Sequence, residues 1–224
     1  MMDGDLKAAW KLLVKNGYQF YRNKIWKEDP QFVAVRQKVK DIGISGIPDD
    51  RCFFLLEAAR KLTVPGDVVE CGVRFGRSTY YIASGTDRGI EVFDSFEGLS
   101  APSEEDGDSW KAGDCLASLD EFEANLDEFA HRISVHKGWI PDTLKECRAT
   151  QIALLHLDLD LYGPTLAALT YFWPRVARGG FVICDDYGST LCPGAKAAFD
   201  EFFAGKTEKP LGLPSAQCIV TKLN

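Results

Sequence analysis

Val68-Val69-Glu70-Cys71-Gly72-Val73-Arg74-Phe75-Gly76-Arg77-Ser78 is the stretch on which the fold turns. Residues 68–71 read as a short strand, Gly72 ends it, and residues 78–84 read as a helix. Downstream the alternation continues. Residues 90–93 form a strand that ends in Asp94, and residues 118–130 carry Leu119, Phe122, Leu126 and Phe129 at helical spacing. Strands follow at 133–136 and at 152–157, the latter ending in Asp158; a helix at 165–173 stops at Pro174. A strand at 180–184 runs into Asp185-Asp186, a helix covers 195–203, and a last strand covers 217–222. Residues 96–115 are polar and rich in Gly, Ser and Asp, which marks a long loop. Nearly all-apolar strands alternating with helices predict an α/β fold with a parallel sheet covered on both faces.

Upstream, Ser45-Gly46-Ile47-Pro48-Asp49-Asp50 reads as a linker, with Asp49 or Asp50 capping a helix over about residues 51–63. Residues 5–19 place Leu6, Trp10, Leu13 and Val14 on one helical face, with Lys7, Lys11 and Lys15 opposite. Tyr18, Phe20, Tyr21 and Trp26 follow, interleaved with basic residues. Residues 1–40 hold nine Lys/Arg against four Asp/Glu, +5; the other 184 balance at −12, giving −7 overall. That break predicts two pieces, a helical lid or appendage over 1–45 and the α/β domain over 46–224.

Composition excludes several classes. At 46% hydrophobic and 26% charged the chain is ordinary globular protein. No uncharged apolar run approaches the roughly 18–20 residues of a membrane span. Asp3 and Asp5 interrupt the N-terminus, so no secretory signal is read and a cytoplasmic location is expected. The seven Cys are odd in number and lack any C-x-x-C, as expected for reduced, mostly buried thiols. His131, His136 and His156 have no Cys at zinc-ligand spacing. The acidic balance argues against nucleic acid as partner.

In an open α/β sheet, ligands bind beyond the carboxyl ends of the strands, so the residues there carry the chemistry. Glu70 stands two before Gly72, and Gly76 four after it. This E-x-G loop differs from the dinucleotide fingerprint and suits S-adenosylmethionine (SAM), with Glu70, Gly72, Gly76 and Ser78 as cofactor-binding candidates. Asp94, 22 residues after Gly72, sits where a carboxylate accepts both hydroxyls of a ribose. Ser95 follows it, and Trp139, just after the third strand, is placed to stack on an adenine. Asp158 and Asp160 alternate onto one face if the strand runs that far. With Asp185 and Asp186 they form a carboxylate set that a hard dication would relieve. His156, inside an apolar strand, reads as a satisfied core histidine rather than a base.

The runs GDVVECGV, FDSFEGL, WKAG, KGWIPDTL, ALLHLDLDLYGPTL and GGFVICDDYG occur in that order. Together they resemble the macrocin O-methyltransferase (TylF-type) family over roughly residues 48–205. The resemblance implies a Rossmann-like class I methyltransferase sheet, mostly parallel with an antiparallel last strand, with helices on both faces. It implies SAM- and Mg²⁺-dependent methylation of a hydroxyl, typically on a sugar of a natural product. It places Asp158, Asp185 and Asp186 on the metal, with Asp160 as base; the exchange of Asp158 and Asp160 in that role stays open. Arg74-Phe75 departs from the family, which more often has an aromatic followed by Arg or a small residue. Expected partners are a hydroxylated small-molecule acceptor, a glycoside, and a second copy in a homodimer, with no nucleic acid and no membrane. The competing readings are a metal-dependent nucleotide-sugar transferase, for which D-x-D after an apolar strand also serves, and a non-catalytic SAM-binding protein. The E-x-G-x-x-x-G loop argues against the first, the full carboxylate set against the second.

Overall fold

The computed structural model describes residues 25–224. The helix expected over 5–19 and the aromatics Tyr18, Phe20 and Tyr21 lie outside the described residues. In chain order the elements are α1 (Pro30–Ile42), α2 (Asp49–Arg60), β1 (Asp67–Cys71), α3 (Arg77–Gly85), β2 (Ile90–Asp94), α4 (Leu119–Asn125), β3 (Ile133–Lys137), β4 (Ile152–Leu157), α5 (Tyr162–Phe172), β5 (Val176–Cys184), α6 (Pro193–Phe203), β6 (Leu211–Gly212) and β7 (Cys218–Thr221). The sheet order is β3-β2-β1-β4-β5-β7-β6. The first five strands run parallel; β7 is antiparallel to β5, and β6 to β7. The antiparallel last strand is therefore present, with β6 as an unforeseen short partner.

Alternation divides the core. Val68 and Leu154 face a cluster closed by α1, α2 and α3, with Phe32, Leu55 and Tyr81 inside it. Val69 and Leu155, one residue on, face a second cluster closed by α5 and α6 through Leu169 and Phe199. Both faces of the sheet are thus buried, the condition for parallel strands that lack a polar side.

α1 is set by local chemistry. Asp29 caps it by accepting from Phe32 N–H at 2.8 Å, Pro30 occupies the first turn, and Gly43 at φ +88° ends it. Phe32, Val35 and Val39 are buried at helical spacing, worth roughly 1.5–3 kcal/mol each. Phe32 stacks on Tyr81 of α3 with centroids 5.3 Å apart. This part of the N-terminal segment is joined to the domain body through its apolar stripe, while its basic residues face outward.

α2 starts two residues before the expected position. Pro48 is its N-cap, and Asp49 caps nothing: it accepts from Arg36 at 2.6 Å and Arg77 at 3.0 Å. Arg77 also donates to the Ile44 carbonyl at 3.2 Å, so the first turn of α3 clamps the linker into α2. The 96–115 loop folds back on itself, with Leu99 N–H donating to Asp114 O and Gly113 N–H to Leu99 O. Buried Asp106 ties it to the start of α5 by accepting Tyr162 N–H at 2.6 Å, a carboxylate at a helix N-terminus. Among the described residues no helix is long and apolar enough to cross a membrane, and all seven cysteines are free.

Candidate active site

The carboxyl ends of β1, β2, β4 and β5 open into one cavity of about 380 Å³. Its walls include Gly72, Ser78, Asp94, Ser95, Trp139, Asp158, Asp160, Asp185 and Asp186, so nine of the residues singled out above meet in one place. Two others do not line it. Glu70 is wholly buried and its carboxylate faces His156 Nδ1 at 2.9 Å, because the two residues are register partners on β1 and β4. Gly76 is a packing glycine: at φ +82° it begins α3, and a Cβ there would come within 2.2 Å of Leu126. Both are corrections to a direct cofactor contact; they support the site from behind.

Asp94 is engaged by the chain itself. One oxygen accepts Val73 N–H at 2.8 Å and Arg74 N–H at 2.9 Å, and the other accepts Phe96 N–H at 2.8 Å. It therefore shapes the loop after β1, where Arg74 is held at φ +48°. Ser95 Oγ donates to the Gly98 carbonyl at 2.7 Å. Trp139 is 45% exposed on the rim, with its indole N–H donating to the same carbonyl at 3.3 Å, so it is not a core tryptophan.

The carboxylates follow the strand ends. Asp158 and Asp185 each continue the ladder, donating N–H to Cys71 O and Leu157 O at 2.9 Å. Asp160 takes a left-handed turn, φ +59°, a conformation Asp tolerates better than most residues. Its N–H donates to Asp186 at 3.1 Å, and its carboxylate accepts from Cys192 Sγ at 3.3 Å. Asp185 is the most fully satisfied of the four. Gln217 Nε2 donates to it at 2.7 Å, Arg51 Nη1 forms an ion pair with its other oxygen, and His156 Nε2 lies 3.6 Å away.

The electrostatics separate these acids. Burial and then the neighbouring carboxylates raise Asp158 well above the usual carboxylate range and push Asp186 up to about 8. Burial also raises Asp160. Burial acts the same way on Asp185, but its pairing with His156 and Arg51 outweighs it and the net shift is downward. Burial works against the His156 charge, and the nearby carboxylates of Asp185 and Glu70 prevail, raising it to about 9. Glu70, His156 and Asp185 thus form a buried polar file across three adjacent strands.

The donor set fits a hard dication. Oxygens of Asp158, Asp185 and Asp186 lie within 4.8 Å of one another, and all-carboxylate oxygen ligation suits Mg²⁺ or Mn²⁺. Asp160, Asp186 and Cys192 form a second close group, but burial pushes the Cys192 thiol far up, so it stays a protonated donor and not a soft ligand. Sequence reasoning missed Arg51 and Gln217. No motif marks them, and each comes from an element remote in sequence. Trp110, which opens the WKAG run, also lines the cavity.

Strand order and site together define a class I methyltransferase fold. The chain belongs to the macrocin-O-methyltransferase (TylF) family, whose profile matches residues 41–213. It is similar to demethyldecarbamoylnovobiocin O-methyltransferase of Streptomyces niveus, 35% identical over 161 residues, 63% of this chain and 59% of that protein. It is also similar to a Streptomyces olivaceus 8-demethyl-8-(2,3-dimethoxy-alpha-L-rhamnosyl)-tetracenomycin-C 4'-O-methyltransferase, 32% identical over 65% of this chain and 62% of that one. The chain thus spans about three fifths of the length of these curated relatives. Among solved structures it resembles the O-methyltransferase NovP, with a TM-score of 0.67 and 27% identity over 79% of this chain and 81% of that chain.

Proposed function

We propose that the protein moves a methyl group from SAM to a hydroxyl of a sugar carried by a natural product, with Asp158, Asp185 and Asp186 holding a dication and Asp160 as base. One observation carries this reading: a four-carboxylate cluster forms one wall of the cavity whose other wall is the Gly72–Ser78 turn with Asp94. Family membership and the sugar O-methyltransferases among the relatives support it.

A bound dication would supply charge that lowers the pKa of an acceptor hydroxyl. The rest falls to the chain. Asp160, set apart from the ligand group by its turn, is free to take the hydroxyl proton. Cys192 donates to one Asp160 oxygen and leaves the other available. Ser78 and Asp94 stand on the cofactor side, and Trp139 offers an exposed indole face at the rim. A covering role for residues 1–45 is part of this proposal; of that segment, Ser45 lines the cavity, together with Gly46, Ile47 and Pro48 of the linker.

The test is incubation with SAM, Mg²⁺ and a panel of glycosylated acceptors, read as a gain of one CH₂, about 14 Da. A thermal-shift response to UDP but not to S-adenosylhomocysteine would favour the nucleotide-sugar reading instead. Asp94→Ala is expected to weaken S-adenosylhomocysteine binding by about 1.5–3 kcal/mol, the range for hydrogen bonds to a charged group. Calorimetry giving unchanged affinity in a folded Asp94→Ala protein would leave Asp94 with its loop-shaping role alone.

A further inference from the structure

Arg51 belongs to none of the motifs, yet it reaches the centre of the site. It sits in the first turn of α2, its side chain only 18% exposed, and points into the strand ends from outside the sheet. Its Nε donates to the Ser215 carbonyl at 2.8 Å, which fixes the guanidinium in place. Its Nη1 pairs with Asp185 Oδ2. The other Asp185 oxygen accepts from Gln217 Nε2 at 2.7 Å, and Ser215 Oγ donates to Gln217 Oε1 at 2.9 Å. Both oxygens of Asp185 are therefore engaged by protein donors that share an anchor in the turn before β7. Asp158 and Asp186 also feel the Arg51 charge. Among the described residues no other Arg or Lys forms an ion pair with these four carboxylates.

We propose that Arg51 is the internal counter-cation of the carboxylate cluster, a positioning residue that neutralises Asp185 without metal and competes with the dication for it. The inference rests on the metal-holding reading above. The Asp158, Asp185 and Asp186 carboxylates lie within 4.8 Å of one another, with Asp160 beside Asp186; such groups repel one another, and burial amplifies that repulsion. A fixed guanidinium relieves it in the metal-free protein. The same positive charge then opposes an incoming dication and occupies one lone pair of an oxygen that would ligate it. Arg51 thus preforms the site at the expense of metal affinity. A neutral side chain of similar reach should reverse both effects.

The test uses the full chain with Mn²⁺ as probe. Wild type, Arg51→Gln and Arg51→Lys are titrated by calorimetry and melted in excess EDTA. Arg51→Gln, which keeps an amide donor but no charge, is expected to bind Mn²⁺ about tenfold tighter than wild type, with Arg51→Lys close to wild type. In EDTA, Arg51→Gln is expected to melt several degrees lower, with Arg51→Lys in between. Mn²⁺ binding by Arg51→Gln that is equal to or weaker than wild type would overturn the competition. A wild type that binds no Mn²⁺ refutes the metal reading rather than the counter-cation, and the EDTA melts then decide alone: unchanged melting of Arg51→Gln would overturn Arg51 as counter-cation. An Arg51→Gln chain too unstable to titrate while Arg51→Lys folds would itself support a requirement for positive charge.

Discussion

Gly72→Ala is expected to lose about 2–5 kcal/mol of stability, a large cost for a single substitution, and with it the geometry of both halves of the site. Gly72 sits at φ +81°, where a Cβ costs roughly 1–2 kcal/mol through local sterics. That Cβ would also lie 1.8 Å from the Asp158 carbonyl oxygen and 2.7 Å from its carbon. The obstacle is backbone and cannot rotate away. Relief requires the ends of β1 and β4 to part, yet Gly72 N–H is bonded to Phe93 O at 2.8 Å and Asp158 N–H to Cys71 O at 2.9 Å. Overpacking of this kind costs a further 1–3 kcal/mol or so. Against a total stability on the order of 5–15 kcal/mol, that is a substantial fraction of the whole. Gly163→Ala in α5 is the control: its Cβ meets nothing within 4 Å and its φ is ordinary, so a change within about 1 kcal/mol in the stabilising direction is expected. Urea unfolding of the two variants side by side checks this, and equal midpoints would refute the close-approach argument.

Gly72 also shows how far the sequence could be read. A glycine after an apolar strand signals a tight turn, and that inference is local. What the turn avoids, the backbone of Asp158, depends on β4 lying beside β1, which no residue in the turn declares. The same gap explains Glu70. Its E-x-G position marks it for a ligand, but Val68 and Val69 already face opposite cores, and Glu70 is buried at the strand's end in register with His156. Strand order had to be known to see that pairing. The acids at 94, 158, 160, 185 and 186 were legible because strand ends attract ligands whatever the order of the strands. Arg51 was not: it meets Asp185 across 134 residues, and Gln217 meets it across 32. The N-terminal segment makes a complementary point. Arg36, Lys38 and Lys40 of α1 belong to the basic stretch, while Phe32, Val35 and Val39 of the same helix join the common core, which a count of charges does not report.

Exhaustive chelation is expected to abolish turnover, by a factor of about 10³ or more given the several kcal/mol a metal contributes to charge stabilisation, while S-adenosylhomocysteine affinity stays nearly constant. The separation follows from the geometry. The proposed cofactor-side groups, Ser78 and Asp94, belong to the first turn of α3 and to the end of β2, whereas the carboxylate group hangs from β4 and β5. Without a dication, burial and the neighbouring carboxylates raise Asp158 and Asp186, and no metal charge is present to acidify an alcohol. Asp186→Asn should lose metal and activity together, since Asp186 belongs to both close donor groups. Asp160→Asn is the discriminating variant. Asn tolerates the left-handed backbone that Asp160 occupies, and the N–H bond to Asp186 is backbone and survives. The fold and the metal ligands should therefore persist, and only the proton acceptor is removed, a loss on the order of 10²–10⁴ in rate. Asp158→Asn should instead weaken Mn²⁺ binding. If Asp160→Asn lost the metal and Asp158→Asn kept it, base and ligand would exchange places. Undiminished methylation by metal-free enzyme, verified by elemental analysis, would sink the metal assignment and leave the carboxylates as base and acceptor clamp.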